Sequence, residues 1–340
     1  MSLPKSPKAS QTGDQVPEAL VDALQRGSSF LLTSHINPDG DAIGSELGLA
    51  QVLKKLGKRV VVWNRDETPN AYRPLVGSAE IHVGELPPDG FPDAFDMAVP
   101  LECPSLDRCG LEEQIRRLPL LNIDHHLGND EYGEVVWIDT AAPAVGTMIH
   151  RLAQALGVEI DADTATALYL ALVTDTGGFR FANATPEAFE SAAALVRVGA
   201  RPERVSHWLY ESNPEAAVRL QAEVLQTLEL HHDGSVATAW LRRDMMERCG
   251  AEAGDSEGLI NIPRSIAGVE TVALLKELKD GGVKVSLRSR GEVDVQRIAH
   301  RHGGGGHKNA AGFTVQAVDG PVDPRTLQAE LVSAMAQALA

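Results

Sequence analysis

The sequence predicts an α/β protein, with an N-terminal parallel sheet flanked by helices and a smaller α+β domain after it. Three observations point to this class. Short apolar runs recur in the first half of the chain and end on polar residues, stretches of helical periodicity separate them, and 340 residues exceed the usual size of one compact domain. Residues 29–34 (SFLLTS) read as a buried strand, and residues 40–57 place Ile43, Leu47, Ala50, Leu53 and Leu56 at helical spacing. The strand pattern returns at 59–63, 96–101 (DMAVPL) and 120–123. Strands alternating with helices give a parallel sheet covered on both faces, and ligands bind beyond the carboxyl ends of such strands. Successive helices follow over 143–199, interrupted at 174–186 (TDTGGFRFANATP), where a glycine pair and an asparagine-rich end mark irregular backbone.

The second half carries helical stretches over 205–230, strands over 236–241, 270–278 and 283–289, and a last helix over 324–339. The expected organisation is a disordered tail at 1–15, a first domain at 16–195, a linker at 196–215 and a second domain at 216–340. Hydrophobic content of 43% with 23% charge describes an ordinary globular protein, and no apolar run is long enough to cross a bilayer. The polar start of the chain lacks the apolar core of a signal peptide, so the expected location is the cytoplasm, with no membrane partner. Cys103, Cys109 and Cys249 form no C-x-x-C pair, which argues against structural zinc and a disulfide framework. A net charge of −16 excludes a broad basic surface for long nucleic acid. It leaves room for a small anionic substrate, because bound divalent cations supply positive charge locally.

The candidate chemistry lies after the apolar runs. His35-Ile-Asn-Pro-Asp39-Gly-Asp41 puts an imidazole and two carboxylates in one turn leading into a helix. Asp124-His125-His126 follows the run at 120–123, and Asp175 follows ALYLALVT. One acidic residue at a helix start simply meets the helix dipole, but several acidic and imidazole groups at one edge of a sheet are hard to assign to capping. Carboxylate mixed with imidazole suits manganese, iron or zinc better than calcium. Two cations a few ångströms apart would promote in-line attack of water on phosphorus.

These motifs, with Asp175-Thr-Gly-Gly-Phe and the late Gly303-Gly-Gly-Gly-His307-Lys-Asn-Ala-Ala-Gly312, together resemble the DHH phosphoesterase superfamily from about residue 20 onward. The nearest likeness is to its stand-alone NrnA-like members, which degrade nanoRNA and dephosphorylate 3′-phosphoadenosine 5′-phosphate (pAp). The resemblance implies two divalent cations, manganese foremost, with magnesium or cobalt as substitutes. It places His35 and Asp39 on one ion and Asp41, His125 and Asp175 on the other. His126 would stand beside the substrate phosphate as a proton donor, with Asp124 orienting a histidine; which of His125 and His126 faces metal stays open. The family's bridging aspartate is replaced here by Glu102, with Asp107 and Asp96 as the alternatives. Arg108 would contact phosphate through its planar fork, or else stand solvated at a helix start.

In the second domain the glycine run has too many glycines for a regular helix or strand and offers backbone N–H groups to an anion. By the resemblance, Gly304, Gly305, Gly306, His307 and Asn309, with Ser286, Arg288 and Ser289, bind substrate across a cleft between the domains. That arrangement suits RNA of about two to five nucleotides and excludes a long chain, which would need a basic track. The other enzyme reading is a phosphodiesterase for c-di-AMP or linear dinucleotides such as pApA and pGpG, and the glycine-rich motif disfavours a pyrophosphatase. A non-enzymatic nucleotide-binding regulator follows if Glu102 weakens the metal bridge. A homodimer is expected from symmetry base rates and the family likeness.

Overall fold

Short apolar runs become parallel strands because both faces of the sheet they form are covered. The computed structural model describes residues 9–256, 258–291, 293–317 and 320–339. Its chain divides into two units, Met1–Ser212 and Asn213–Ala340. In the first, β1 (Ala9–Thr12), α1 (Glu18–Arg26), β2 (Ser29–Thr33), α2 (Gly40–Lys55), β3 (Arg59–Asn64), β4 (His82–Val83) and β5 (Met97–Pro100) are followed by α3 (Glu112–Ile115), β6 (Leu121–Asp124) and β7 (Val135–Ile138). The helices α4 (Val145–Ala155), α5 (Ala162–Asp175), α6 (Pro186–Val198) and α7 (Pro202–Tyr210) complete it.

Four strands pair in the order β4-β3-β2-β5 and three in the order β1-β7-β6, all parallel. Isolated parallel bridges Ala98–Leu120 and Leu101–Ile123 join β5 to β6, so the two sheets run on as one surface. From β2 the chain passes to β3 on one side, and it later returns to β5 on the other. The carboxyl ends of β2 and β5 therefore flank the point where strand order reverses, where open parallel sheets leave a crevice.

Helix α2 is buried over most of its length, from Gly40 to Leu53. Gly40, Gly44 and Gly48 recur every fourth residue and so share one face. They lie against α5: a Cβ on Gly44 would stand 2.5 Å from the Ala167 carbonyl oxygen, and Cβ atoms on Gly40 and Gly48 would strike Thr174 and Leu168. Absence of side chains on that face lets the start of α2 approach the end of α5.

The second unit contains α8 (Glu215–Leu225), β8 (Glu229–His231), β9 (Val236–Leu241), α9 (Arg243–Cys249), α10 (Asn261–Arg264), β10 (Thr271–Glu277), β11 (Val283–Ser289), α11 (Gln296–Arg301), β12 (Gly305–His307), β13 (Ala310–Val315) and α12 (Pro324–Leu339). They build a six-stranded sheet in the order β12-β13-β11-β10-β9-β8. Val285, Leu287 and Phe313 pack with Leu327, Leu331 and Met335 of α12. A second core gathers Leu220, Val224, Met245, Val272 and Leu274.

Three expectations change. The segment 1–15 is not wholly a tail, since Ala9–Thr12 pairs with β7; ladder bonds are main-chain bonds, which a polar sequence also supplies. The stretch 196–215 is not a bare linker: α7 buries Val205 and sets Trp208 and Leu209 against the N-terminal core. Asp175 ends a helix, within the stretch expected to be helical. The glycine run does enter a strand, with Gly305–His307 pairing with Ala310–Gly312.

Candidate metal centre

The loop after β2 delivers His35 and Asp39. It is pinned by Ile36 N–H donating to the Arg108 carbonyl (2.7 Å) and by Asn37 N–H donating to Asp66 (2.7 Å), with Asn37 in the left-handed region at φ +52°. Asp39 caps α2 by accepting from Ala42 N–H at 3.0 Å. Asp41, in the first turn, is fully buried, and its carboxylate accepts from Ser45 Oγ (2.8 Å) and from Val145 and Gly146 N–H (2.6 and 2.9 Å) at the start of α4. Helix N-termini hold anions in this way.

Glu102 follows β5 and is 2% exposed. Its backbone is left-handed at φ +58°, sparsely populated for a residue with a side chain, and its N–H donates to the Ile123 carbonyl. From there one carboxylate oxygen lies 2.9 Å from His35 Nε2 and the other 3.2 Å from His125 Nε2. Glu102 thus lies between His35 and His125. Asp96 instead accepts from Ser28 and Ser29 N–H at the start of β2, and Asp107 is exposed in a 3-10 turn.

The two histidines after β6 are held differently. His125 Nδ1 donates to the Ala142 carbonyl (3.0 Å), which turns Nε2 toward Glu102, Asp41 and Asp175. His126 Nδ1 donates to Asp124 (2.8 Å), itself buried and bonded to Asn129 at 2.6 Å. His126 also approaches Glu102, at 3.7 Å. Asp175 arrives at the end of α5 because the next residues stop the helix: Gly177, Gly178 and Phe179 are all left-handed. Phe179 packs against the core and stacks on Phe189.

Donor atoms come together in three overlapping groups: His35, Asp39 and Glu102; Glu102, His125 and His126; and Asp41, His125 and Asp175. Their electrostatics are those of acids pressed together. Burial, then the charge of Glu102, pushes Asp41 well up. Burial, with Glu102 and Asp39 prevailing over His125, carries Asp175 to about 6. Burial alone would lower His35, but Glu102 and Asp39 raise it to about 9; His125 and His126 also rise against burial, through Glu102 and Asp124 respectively. Burial alone would raise Glu102, but hydrogen bonds from His125 and His35 hold it far below the usual carboxylate range. The upward shifts of Asp41, Asp175 and the three imidazoles share one cause, negative charge gathered with little solvent, which a divalent cation meets with oxygen and nitrogen donors already converged. The donor set fits such an ion.

Arg108 is half-buried, and its Nε, shielded from solvent, has no hydrogen-bond partner among the described residues. Ser286 and Arg288 alternate with the buried Val285, Leu287 and Ser289, so the first two share one face of β11. Across the ladder, Ser286 faces Gly312, which faces Gly305, and Arg288 faces Ala310, which faces His307. A Cβ on Gly305 would meet open space, whereas Cβ atoms on Gly304 and Gly306 would strike β13. The side chain of His307 lies outside the described residues. Ser289 is 1% exposed, and its Oγ donates to the Val293 carbonyl. The Asn309 amide donates to Ser289 and to the Gly291 and Val293 carbonyls, so both residues fasten the turn after β11. Asn129 and Asn183 touch the proposed site although no motif marked them.

Comparison with known proteins agrees with this architecture. The DHH family N-terminal domain matches residues 29–172, and the DHHA1 domain matches residues 233–339. The bifunctional oligoribonuclease and PAP phosphatase NrnA of Thermus thermophilus is 38% identical over 290 residues, which cover 85% of this chain and 84% of that protein. The protein of the same name from Bacillus subtilis is 27% identical over 309 residues, 88% of this chain and 93% of that one. The crystal structure of an exopolyphosphatase-related protein from Bacteroides fragilis has a TM-score of 0.85 at 26% identity, covering 95% of this chain and 98% of that one. With both domains matched and identity of 38% spread over most of either protein, this chain belongs to the DHH family.

Proposed function

We propose that the chain is a divalent-metal phosphoesterase that hydrolyses short oligoribonucleotides and pAp. The observation that carries this reading is the convergence of four carboxylates and three imidazoles at the ends of β2, β5, β6 and α5. The names of the relatives supply the substrate class. His35 and Asp39 are proposed to hold one cation, and Asp41, His125 and Asp175 a second, with Glu102 reaching both groups; the oxygen and imidazole donors favour manganese. When bound, such ions polarise phosphoryl oxygen and lower the pKa of water.

The chain's own residues supply the rest. Asp124 claims the Nδ1 proton of His126, so proton exchange by that ring runs through Nε2, suited to protonating a leaving oxygen. Arg108 offers its fork to a phosphate, and its shielded Nε supports that role. In the second unit, Ser286, Arg288 and the open backbone at Gly305 are proposed to hold the rest of a short substrate, with His307. A net charge of −16 keeps long RNA away. No helix among the described residues is long and apolar enough to cross a membrane, and we place the enzyme in the cytoplasm as a homodimer.

The test is to load the purified protein with Mn2+ and offer pAp, RNA of about two to five nucleotides, long RNA, pApA, c-di-AMP and pyrophosphate separately. Turnover of pAp and short RNA is expected. Inertness toward every substrate overturns the enzyme reading, and turnover confined to c-di-AMP and pApA moves the substrate to dinucleotides.

A further inference from the structure

Asp41, His125 and Asp175 come from three separate elements, yet one buried stretch, residues 142–146, serves all three. The Ala142 carbonyl accepts from His125 Nδ1 at 3.0 Å. Val145 and Gly146 N–H groups donate to Asp41 at 2.6 and 2.9 Å. The Pro143 carbonyl accepts from Asn183 Nδ2 at 3.0 Å, and the same amide donates to Asp175 Oδ2 at 3.0 Å. We infer that Asn183 is a positioning residue, which ties Asp175 to the stretch that also sets Asp41 and His125.

The inference rests on the metal reading above and adds what fixes one of its groups. Asp175 is the last residue of α5, where the helix dipole opposes a carboxylate, so it needs a donor from elsewhere. Asn183 is brought to it by the turn at Thr176–Phe181. Three left-handed residues there reverse the chain, and N–H groups of Arg180 and Phe181 fold back onto the Thr176 carbonyl. An amide suits the position, since its two protons can serve the carboxylate and the Pro143 carbonyl together. Aspartate would set a second anion there, and leucine would keep the volume without the donors.

The experiment titrates Mn2+ into the chelator-stripped full chain, follows free Mn2+ by electron paramagnetic resonance, and records thermal unfolding, kcat and KM for pAp. The unsubstituted protein is expected to take up two ions. Asn183→Leu should bind one as before and the other about 10- to 100-fold more weakly, the usual effect of losing a ligand's hydrogen-bond partner, with kcat falling and KM little changed. Asn183→Asp should not restore the weakened site. Parent affinity for both ions in Asn183→Leu overturns the inference. So does equal weakening of both ions with a lower Tm, which makes Asn183 a structural residue only. A parent protein that binds no Mn2+ overturns the metal reading itself, and this inference with it.

Discussion

The two units treat their polar residues in opposite ways. In the first, Asp41 and Glu102 are almost wholly buried beside other acids, and burial with mutual repulsion drives Asp41 and Asp175 toward protonation. In the second, Ser289 and Asn309 bond to each other and to nearby carbonyls, while Gly304 and Gly306 are small because β13 lies against them. Both sets stood in motifs that sequence alone could not tell apart. Polar groups whose hydrogen bonds close among themselves contribute to the fold, whereas anions gathered at a free-energy cost call for a cation.

The sharpest way to break this contrast is Glu102→Gln, which keeps the reach of the side chain and removes its charge. Turnover of pAp in Mn2+ should fall by more than about 100-fold, beyond the cost of losing a ligand's outer partner. Steady-state assays check it, and unchanged turnover would put Glu102 among residues that merely satisfy one another. Next, Gly44→Ala should destabilise the protein by about 1–3 kcal/mol, since the added methyl meets α5 backbone, and should loosen Mn2+ binding through displacement of Asp175. Urea denaturation with a Mn2+ titration reads both effects. In the second unit, Gly306→Ala forces a side chain into φ +137° and against β13, with an expected cost of about 1–3 kcal/mol. Gly305→Ala should stay within about 0.5 kcal/mol of the parent in the same unfolding measurement, while raising KM for pAp.

A separate effect concerns the other end of α5. Asp161 caps that helix by accepting from Thr164 N–H (2.9 Å) and pairs with Lys55; these outweigh partial burial and bring its pKa down to about 2. Asp161→Ala should cost about 1 kcal/mol near neutral pH. A lowered acid pKa stabilises above the ordinary value of 3.8 and loses its effect as pH falls through about 2. The parent and variant denaturation curves should therefore converge in strong acid.

Most of the sheet was legible, because runs such as SFLLTS carry both their burial and their length in sequence. The run at 135–138 escaped assignment: four apolar residues show neither period clearly. ALYLALVT, inside the stretch read as helices, is a helix buried on nearly every side and carries Asp175 at its end. The site's donors were legible as motifs, whereas their supports were not. Asn183 meets Pro143 across 40 residues and Asp175 across 8, and no local pattern encodes such a meeting. Gly40, Gly44 and Gly48 did leave a signal, a glycine on every fourth residue of a helix, which marks close approach by a neighbour.

Asp41 has one more consequence. Its carboxylate is gripped by two main-chain amides and a serine hydroxyl, so its seat is built by the start of α4 and does not depend on an ion to shape it. Stripping the metal should therefore leave a folded socket rather than a collapsed one.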